Sequence, residues 1–173
     1  MNTFVLVQII GIITLIISVI LLQQQKKENL LILQAISFFT LAIQYFLTNK
    51  ITGVAISIII IIRNVVFLYH EKKNLKPSAT VLGIFQVITL SSIYFTWQNV
   101  FSILSPVATM VISWGVWQNN MTYARRSLLL GKIGMFIYNL TAGMYTATLT
   151  NGMEITSVII AMWRYDRKNK TIN

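Results

Sequence analysis

The chain has 173 residues, of which 55% are hydrophobic and only 10% are charged. An average soluble domain carries roughly 25% charged residues, so this composition excludes an ordinary cytosolic enzyme. The absence of cysteine excludes disulfides, a thiol nucleophile and a zinc–thiolate site. The formal net charge of +10 suits either a nucleic-acid-binding protein or a membrane protein, and the distribution of the charge decides between them.

Apolar runs long enough to cross a bilayer recur along the chain. The hydrocarbon core is about 30 Å thick, so a spanning helix needs roughly 17–25 mainly apolar residues. The sequence predicts seven such spans: Phe4–Leu22, Leu30–Thr48, Ile51–Tyr69, Ala79–Trp97, Asn99–Trp117, Ser127–Thr148 and Thr150–Tyr165. Each is expected to be helical, because backbone groups cannot stay unpaired in lipid. The first run has no positive charge before it, unlike a signal peptide, so we expect it to remain as a membrane helix.

Lysine and arginine accumulate in alternate loops, as in the cytoplasmic loops of multi-pass membrane proteins. The predicted inner segments contain Lys26, Lys27, Lys72, Lys73, Lys76, Arg125, Arg126, Arg167, Lys168 and Lys170. The predicted outer segments contain only Lys50. We therefore predict a protein embedded in the lipid bilayer, with its N-terminus outside and its C-terminus in the cytoplasm. The positive charge is then an orientation signal, and no nucleic-acid partner is expected.

The two halves of the chain carry a weak internal repeat. Three polar residues recur at an offset of 95 residues: Thr14 as Thr109, Ser18 as Ser113 and Gln23 as Gln118. The basic pairs of the following loops, at 26–27 and 125–126, also correspond, and Arg63 matches Arg164. Spans one to three therefore resemble spans five to seven, and an odd fourth span keeps both sets in the same orientation.

This repeat predicts an all-α membrane protein of two parallel three-helix bundles joined by one linker helix (3+1+3). We expect residues 1–73 to form the first bundle, 74–98 the linker, and 99–173 the second bundle with a basic cytoplasmic tail. The layout resembles that of the SWEET and PQ-loop transporters. The likeness is architectural, since their proline–glutamine signature is absent: Pro106 lies in the fifth span, but its counterpart in the first is Gly11.

Short motifs occur along nearly the whole chain. They are Gln8-x-x-Gly11, Ile62-Arg63-Asn64-Val65-Val66-Phe67, Leu104-Ser105-Pro106, Ile137-Tyr138-Asn139-x-x-x-Gly143-x-Tyr145, Leu149-Thr150-Asn151 and Arg164-Tyr165-Asp166. In these motifs the chain resembles the YgjV-type bacterial inner-membrane proteins. It departs from the family pattern at Asn151, where an acidic residue is frequent, and near Ile60, where the pattern has an asparagine. The resemblance implies a bacterial inner-membrane location and carries no assigned substrate.

Polar side chains inside membrane spans are costly, so each is a candidate functional residue. Gln44, Gln86 and Asn139 are candidate contacts for a neutral polar solute, with Trp114 as an aromatic partner. The alternative for the amides is a hydrogen bond between helices, and for Trp114 it is packing.

Four charged residues are candidates for gating or coupling. Arg63, Arg164 and Lys132 lie near the predicted inner ends of their spans, and Glu154 lies near the outer end of the last span. The alternative for the basic residues is that their long side chains reach the membrane interface. For Lys132 a charge partner inside the bundle also stays open, and for Glu154 the alternative is exposure at the interface.

These observations predict a transporter or facilitator for a small neutral solute, such as a sugar, nucleoside or vitamin, that works by alternating access between the two bundles. The alternative is a non-transporting scaffold or assembly partner. A cavity lined by the three amides favours the carrier, whereas amides bonded to backbone favour the partner. An enzyme is not expected, since the sequence shows no nucleophile–base set. No metal or other cofactor is expected, and the oligomeric state stays open.

Overall fold

A computed structural model describes residues 3–47, 51–75, 78–96, 100–118, 120–141 and 145–166. Over these ranges the chain is entirely helical, which confirms the predicted fold class at that level. The helices are α1 (Thr3–Leu22), α2 (Lys27–Leu47), α3 (Ile51–Lys72), α4 (Ala79–Thr96), α5 (Leu104–Trp117), α6 (Met121–Thr141) and α7 (Tyr145–Ala161). A 3₁₀ turn, Val100–Ile103, precedes α5, and a π-helix, Met162–Asp166, follows α7.

The predicted sixth span and the start of the seventh are misplaced, whereas the fifth ends at Trp117 as predicted. The expected fifth span is divided between the 3₁₀ turn and α5, and Pro106 falls in the first turn of α5, where no intrahelical N–H bond is lost. The expected span over 127–148 is also misplaced, because α6 begins at Met121 and ends at Thr141. The Asn120 side chain accepts a hydrogen bond from the Thr122 N–H at 2.9 Å, so the helix starts before the apolar run does.

Two of the described helices are long and apolar enough to cross a membrane by length and composition. They are α1, over Val5–Leu22, and α2, over Lys27–Leu47. Shorter apolar helices cover Ala79–Ser92 and Leu104–Trp117. Trp97 and Asn99, at the predicted limits of the fourth and fifth spans, lie outside the described residues, as does the basic tail after residue 166.

The chain forms two compact units, and the first is Met1–Leu75. In this unit α2 packs against both α1 and α3. Its apolar core contains Leu21, Leu22, Leu30, Leu31, Ile60 and Phe67. Large apolar side chains also cover the outside of the unit, among them Ile12, Ile16, Phe39 and Ile62. An apolar exterior around a partly polar interior is the arrangement expected of a protein that contacts lipid.

The second unit is Lys76–Asn173. Here α6 packs against both α5 and α7, and α4 packs against α5. Small side chains are frequent in its core, which contains Ala108, Ile112, Val116, Ala124, Leu128, Val158 and Ala161. Small residues let helix backbones approach closely, as they do in membrane bundles. One such close approach is at Gly131, where an added Cβ would lie 2.9 Å from the Ala108 carbonyl oxygen and closer still to the Ile112 side chain.

We expect Gly131→Ala to lower the melting temperature of the purified protein in detergent. The new methyl group forces α5 and α6 apart, and overpacking of this kind costs about 1–3 kcal/mol. Gly83→Ala is the matched control, because nothing lies within 4 Å of a Cβ at Gly83 on α4. The control is expected to leave stability unchanged or to raise it slightly through better helix propensity. Equal effects of the two substitutions would contradict the close α5–α6 packing.

Candidate functional site

A buried polar cluster joins α2 and α3 in the first unit. The Arg63 guanidinium donates to the Asn64 side-chain oxygen at 3.0 Å and to the Gln34 side-chain oxygen at 3.5 Å. The exposed fraction is 3% for Arg63, 1% for Asn64 and 6% for Gln34. The Asn64 Nδ2 group is also buried, and none of the described residues offers it an acceptor. The cluster holds a positive charge within the helix bundle and leaves one amide donor available.

Hydroxyl groups join α1 and α2 in the same unit. Ser18 and Ser37 share a hydrogen bond of 3.0 Å, and Thr14 donates to Thr40 at 2.8 Å. Gln44 lies farther along this interface, where its Nε2 donates to the Val7 carbonyl oxygen at 3.5 Å. The Gln44 amide therefore links two helices through the backbone of one of them.

The second unit contains a buried ion pair between α6 and α7. The Lys132 Nζ donates to Glu154 Oε2 at 2.6 Å. The Glu154 side chain is 5% exposed and that of Lys132 is 22% exposed. The sequence had left two alternatives open for each of these residues, and the structure pairs them inside the bundle. Opposite charges in contact greatly reduce the cost of placing either one among apolar helices.

The other site residues predicted in the second unit are Gln86, Trp114, Asn139 and Arg164. Gln86 on α4 donates to the Met110 carbonyl oxygen at 3.1 Å, while its Oε1 is buried and has no donor among the described residues. Trp114 is exposed on α5, and Asn139 on α6 is partly exposed. Arg164 is exposed in the π-helix, with its guanidinium carbon 5.5 Å from the centre of the Tyr165 ring.

Arg63 and Arg164 thus have different surroundings, although the sequence alignment of the two halves matches them. Arg63 is enclosed between two helices and bonded to amides, whereas Arg164 is exposed beside a tyrosine ring. The alignment does not reveal such a difference, because the burial of a side chain depends on the face of the helix from which it projects.

A groove of about 450 Å³ opens between α6 and α7. It is lined by Phe136, Thr148, Leu149, Gly152, Met153 and Thr156. The lining is mainly apolar, and none of the eight predicted site residues contributes to it. The groove is therefore suited to apolar contacts. The predicted amides do not line it.

Two further ion pairs were missed by the sequence reasoning. Lys27 Nζ lies 2.8 Å from Glu71 Oε2 in the first unit, and Arg125 pairs with Asp166 in the second. The basic member of each pair is almost fully buried. A signal was present, since Lys27 and Arg125 lie near the starts of α2 and α6, and Glu71 and Asp166 lie at or after the ends of the helices that follow. The sequence analysis used the basic residues as an orientation signal and in the repeat, and assigned them no acidic partner.

We expect Glu154→Gln to destabilise the protein by roughly 3–5 kcal/mol, because the substitution leaves the Lys132 ammonium without its counter-charge. Lys132→Met is expected to be costly for the same reason. The double variant should cost clearly less than the sum of the two, since it removes both charges together. Unfolding of the four proteins in detergent, followed by tryptophan fluorescence, measures this coupling. Additive effects would show that the two charges do not stabilise each other.

Comparison with known families gives one result that covers almost the whole chain. The sequence model of the family Imp-YgjV, described as bacterial inner membrane protein, matches residues 5–169. Comparison with curated proteins and with solved structures gives no match.

Proposed function

The chain belongs to the Imp-YgjV family of bacterial inner membrane proteins, and we propose that it is a carrier or facilitator for a small, neutral polar solute. The observation that carries this proposal is the burial of polar contacts between α2 and α3 in the first unit and between α6 and α7 in the second. Such contacts join helices into rigid bodies. Carriers built from repeated bundles work by moving such bodies in alternation.

The proposed carrier has seven spans in a 3+1+3 arrangement. At 1.5 Å per residue, the 22 residues of α3 reach about 33 Å, the 18 of α4 about 27 Å and the 17 of α7 about 25 Å. The 14 residues of α5 reach only about 21 Å. The four residues of the preceding 3₁₀ turn add about 8 Å. Together they match the roughly 30 Å of the hydrocarbon core.

Internal charge pairing supports a membrane position for α6 and α7. Lys132 and Glu154 lie well inside these helices, where an unpaired charge would be costly. Their contact at 2.6 Å reduces this cost and leaves the outer faces of both helices to apolar side chains such as Leu130, Ile133 and Ile159. We assign this ion pair a coupling role, because it makes α6 and α7 move together when a solute shifts either helix.

Asn139 is the amide that we assign to solute contact. It is partly exposed, and amide groups recognise the hydroxyl and carbonyl groups of sugars, nucleosides and vitamins. Gln86 contributes its unpaired Oε1 acceptor, while its Nε2 holds α5. Gln44 acts in this proposal mainly as a link between α1 and α2.

A second candidate function is that of a non-transporting assembly partner in the inner membrane. It is favoured by one specific observation: both Gln44 and Gln86 donate to main-chain carbonyl groups of neighbouring helices. Hydrogen bonds of this kind hold helices together and leave fewer groups to recognise a solute. The two candidates differ in what Asn139 does.

A solute screen by thermal stability in detergent distinguishes the two functions. A ligand at 100 times its Kd stabilises the folded state by about 2.7 kcal/mol, which is measurable as a raised melting temperature. We expect at least one sugar, nucleoside or vitamin to raise it, and Asn139→Ala to abolish the shift. Gln44→Ala is the matched control, expected to lower the starting stability but to keep the shift. If no solute stabilises the protein or crosses liposomes containing it, the assembly partner is favoured.

The absence of cysteine allows a direct test of topology. We expect Lys50→Cys to react with a membrane-impermeant maleimide in spheroplasts. Asn74→Cys and Asn120→Cys are expected to react only after permeabilisation, because seven spans place these loops in the cytoplasm. The unmodified chain is the control for background labelling. Labelling of Asn74→Cys in intact spheroplasts would exclude the proposed orientation.

A further inference from the structure

Each of the two ion pairs that the sequence did not predict joins a basic residue near the start of one helix to an acid at or after the end of the next. In the first unit, Lys27 at the start of α2 pairs with Glu71 near the end of α3. In the second, Arg125 in the first turns of α6 pairs with Asp166, the last residue of the π-helix after α7. The first pair thus joins α2 to α3 at the end where α2 begins, and the second joins α6 to the segment after α7 at the end where α6 begins.

The buried faces of α3 and α7 show how far this correspondence extends. Among the side chains of α3 whose burial the structure describes, five are buried: Ser57, Ile60, Arg63, Asn64 and Phe67. Each has a buried counterpart 94 residues later in α7: Asn151, Glu154, Ser157, Val158 and Ala161. The residue types differ, but the positions agree over three helical turns. Helices α3 and α7 therefore present equivalent faces to their neighbours.

The offset changes by one residue between these faces and the ion pairs. Phe67 and Ala161 are 94 positions apart, whereas Glu71 and Asp166 are 95 apart. The second unit thus has one extra residue after Ala161, in the segment that forms the π-helix. A π-turn accommodates one residue more than an α-turn. In a continuous α-helix the same extra residue would rotate everything after it by about 100°.

We propose that the π-helix Met162–Asp166 absorbs an inserted residue and thereby keeps Asp166 in register with Arg125. The two ion pairs are then similar clamps, one holding α2 and α3 together at one end and the other holding α6 and the segment after α7. The Arg125 guanidinium carbon, 5.1 Å from the centre of the Tyr165 ring, adds a second contact in the same segment. This device does not depend on whether the protein carries a solute.

Removal of one residue from the π-helix tests the proposal. Trp163 is 67% exposed, so its deletion removes little buried surface and lets an α-helix continue from Ala161 to Asp166. We expect Asp166→Asn to lower the melting temperature in detergent by a similar amount in the full chain and in the chain lacking Trp163. In a chain with one alanine inserted after Trp163, we expect Asp166→Asn to have no effect, because the clamp is already broken.

Deletion of Arg164, also exposed, is the second variant in case loss of the tryptophan itself disturbs folding. Unfolding of both deletion variants would overturn the proposal, as would loss of the Asp166→Asn effect in a folded deletion variant. In the first unit, Glu71→Lys should lower the melting temperature, and the exchange Lys27→Glu with Glu71→Lys should restore most of it. Failure of the exchange to restore stability would show that the first ion pair is no clamp.

Discussion

Lipid offers no hydrogen bonds, and this constraint governs the interior of the protein. An unpaired polar side chain is costly in lipid, and most polar side chains buried between the described helices have a partner on a neighbouring helix. Thr14 and Ser18 meet hydroxyl groups on α2, Arg63 meets two amides, and Lys132 meets Glu154. The polar residues therefore lie between helices, while isoleucine, leucine and phenylalanine cover the outside.

The same constraint shapes the choice between the two proposed functions. An amide bonded to a neighbouring backbone, as Gln44 and Gln86 are, stabilises the helix pair to which it belongs. An amide with a remaining donor or acceptor can also bind a solute, and Asn64 Nδ2 and Gln86 Oε1 keep such capacity among the described residues. The described residues thus combine firmly linked helices with a small reserve of polar groups, and the proposed carrier function depends on that reserve.

The two units solve one packing problem with different residues. Between α2 and α3 the first unit has an arginine with two amides, and between α6 and α7 the second has a lysine–glutamate ion pair. Both then close the same end with a basic residue and an acid. Because of the π-helix, Asp166 pairs with Arg125 although the segment after Ala161 is one residue longer than its counterpart in the first unit. Such a result is expected where the positions that pack between helices are constrained more tightly than the types of residue that occupy them.

The sequence by itself determined the helical class, because unpaired backbone groups in lipid permit few alternatives, and its short motifs indicated the family. It also placed α1 to α4, and the end of α5, to within a few residues. Only the tertiary structure decided where α5 begins and where α6 and α7 lie, with a 3₁₀ turn before α5 and Asn120 capping α6. It also decided which charges meet: Lys132 and Glu154 are 22 residues apart, and Arg125 and Asp166 are 41 apart. Whether residues so far apart in the sequence pair depends on how each helix is rotated about its axis. A single π-turn shifts the residues after it by one position, which corresponds to about 100° of rotation.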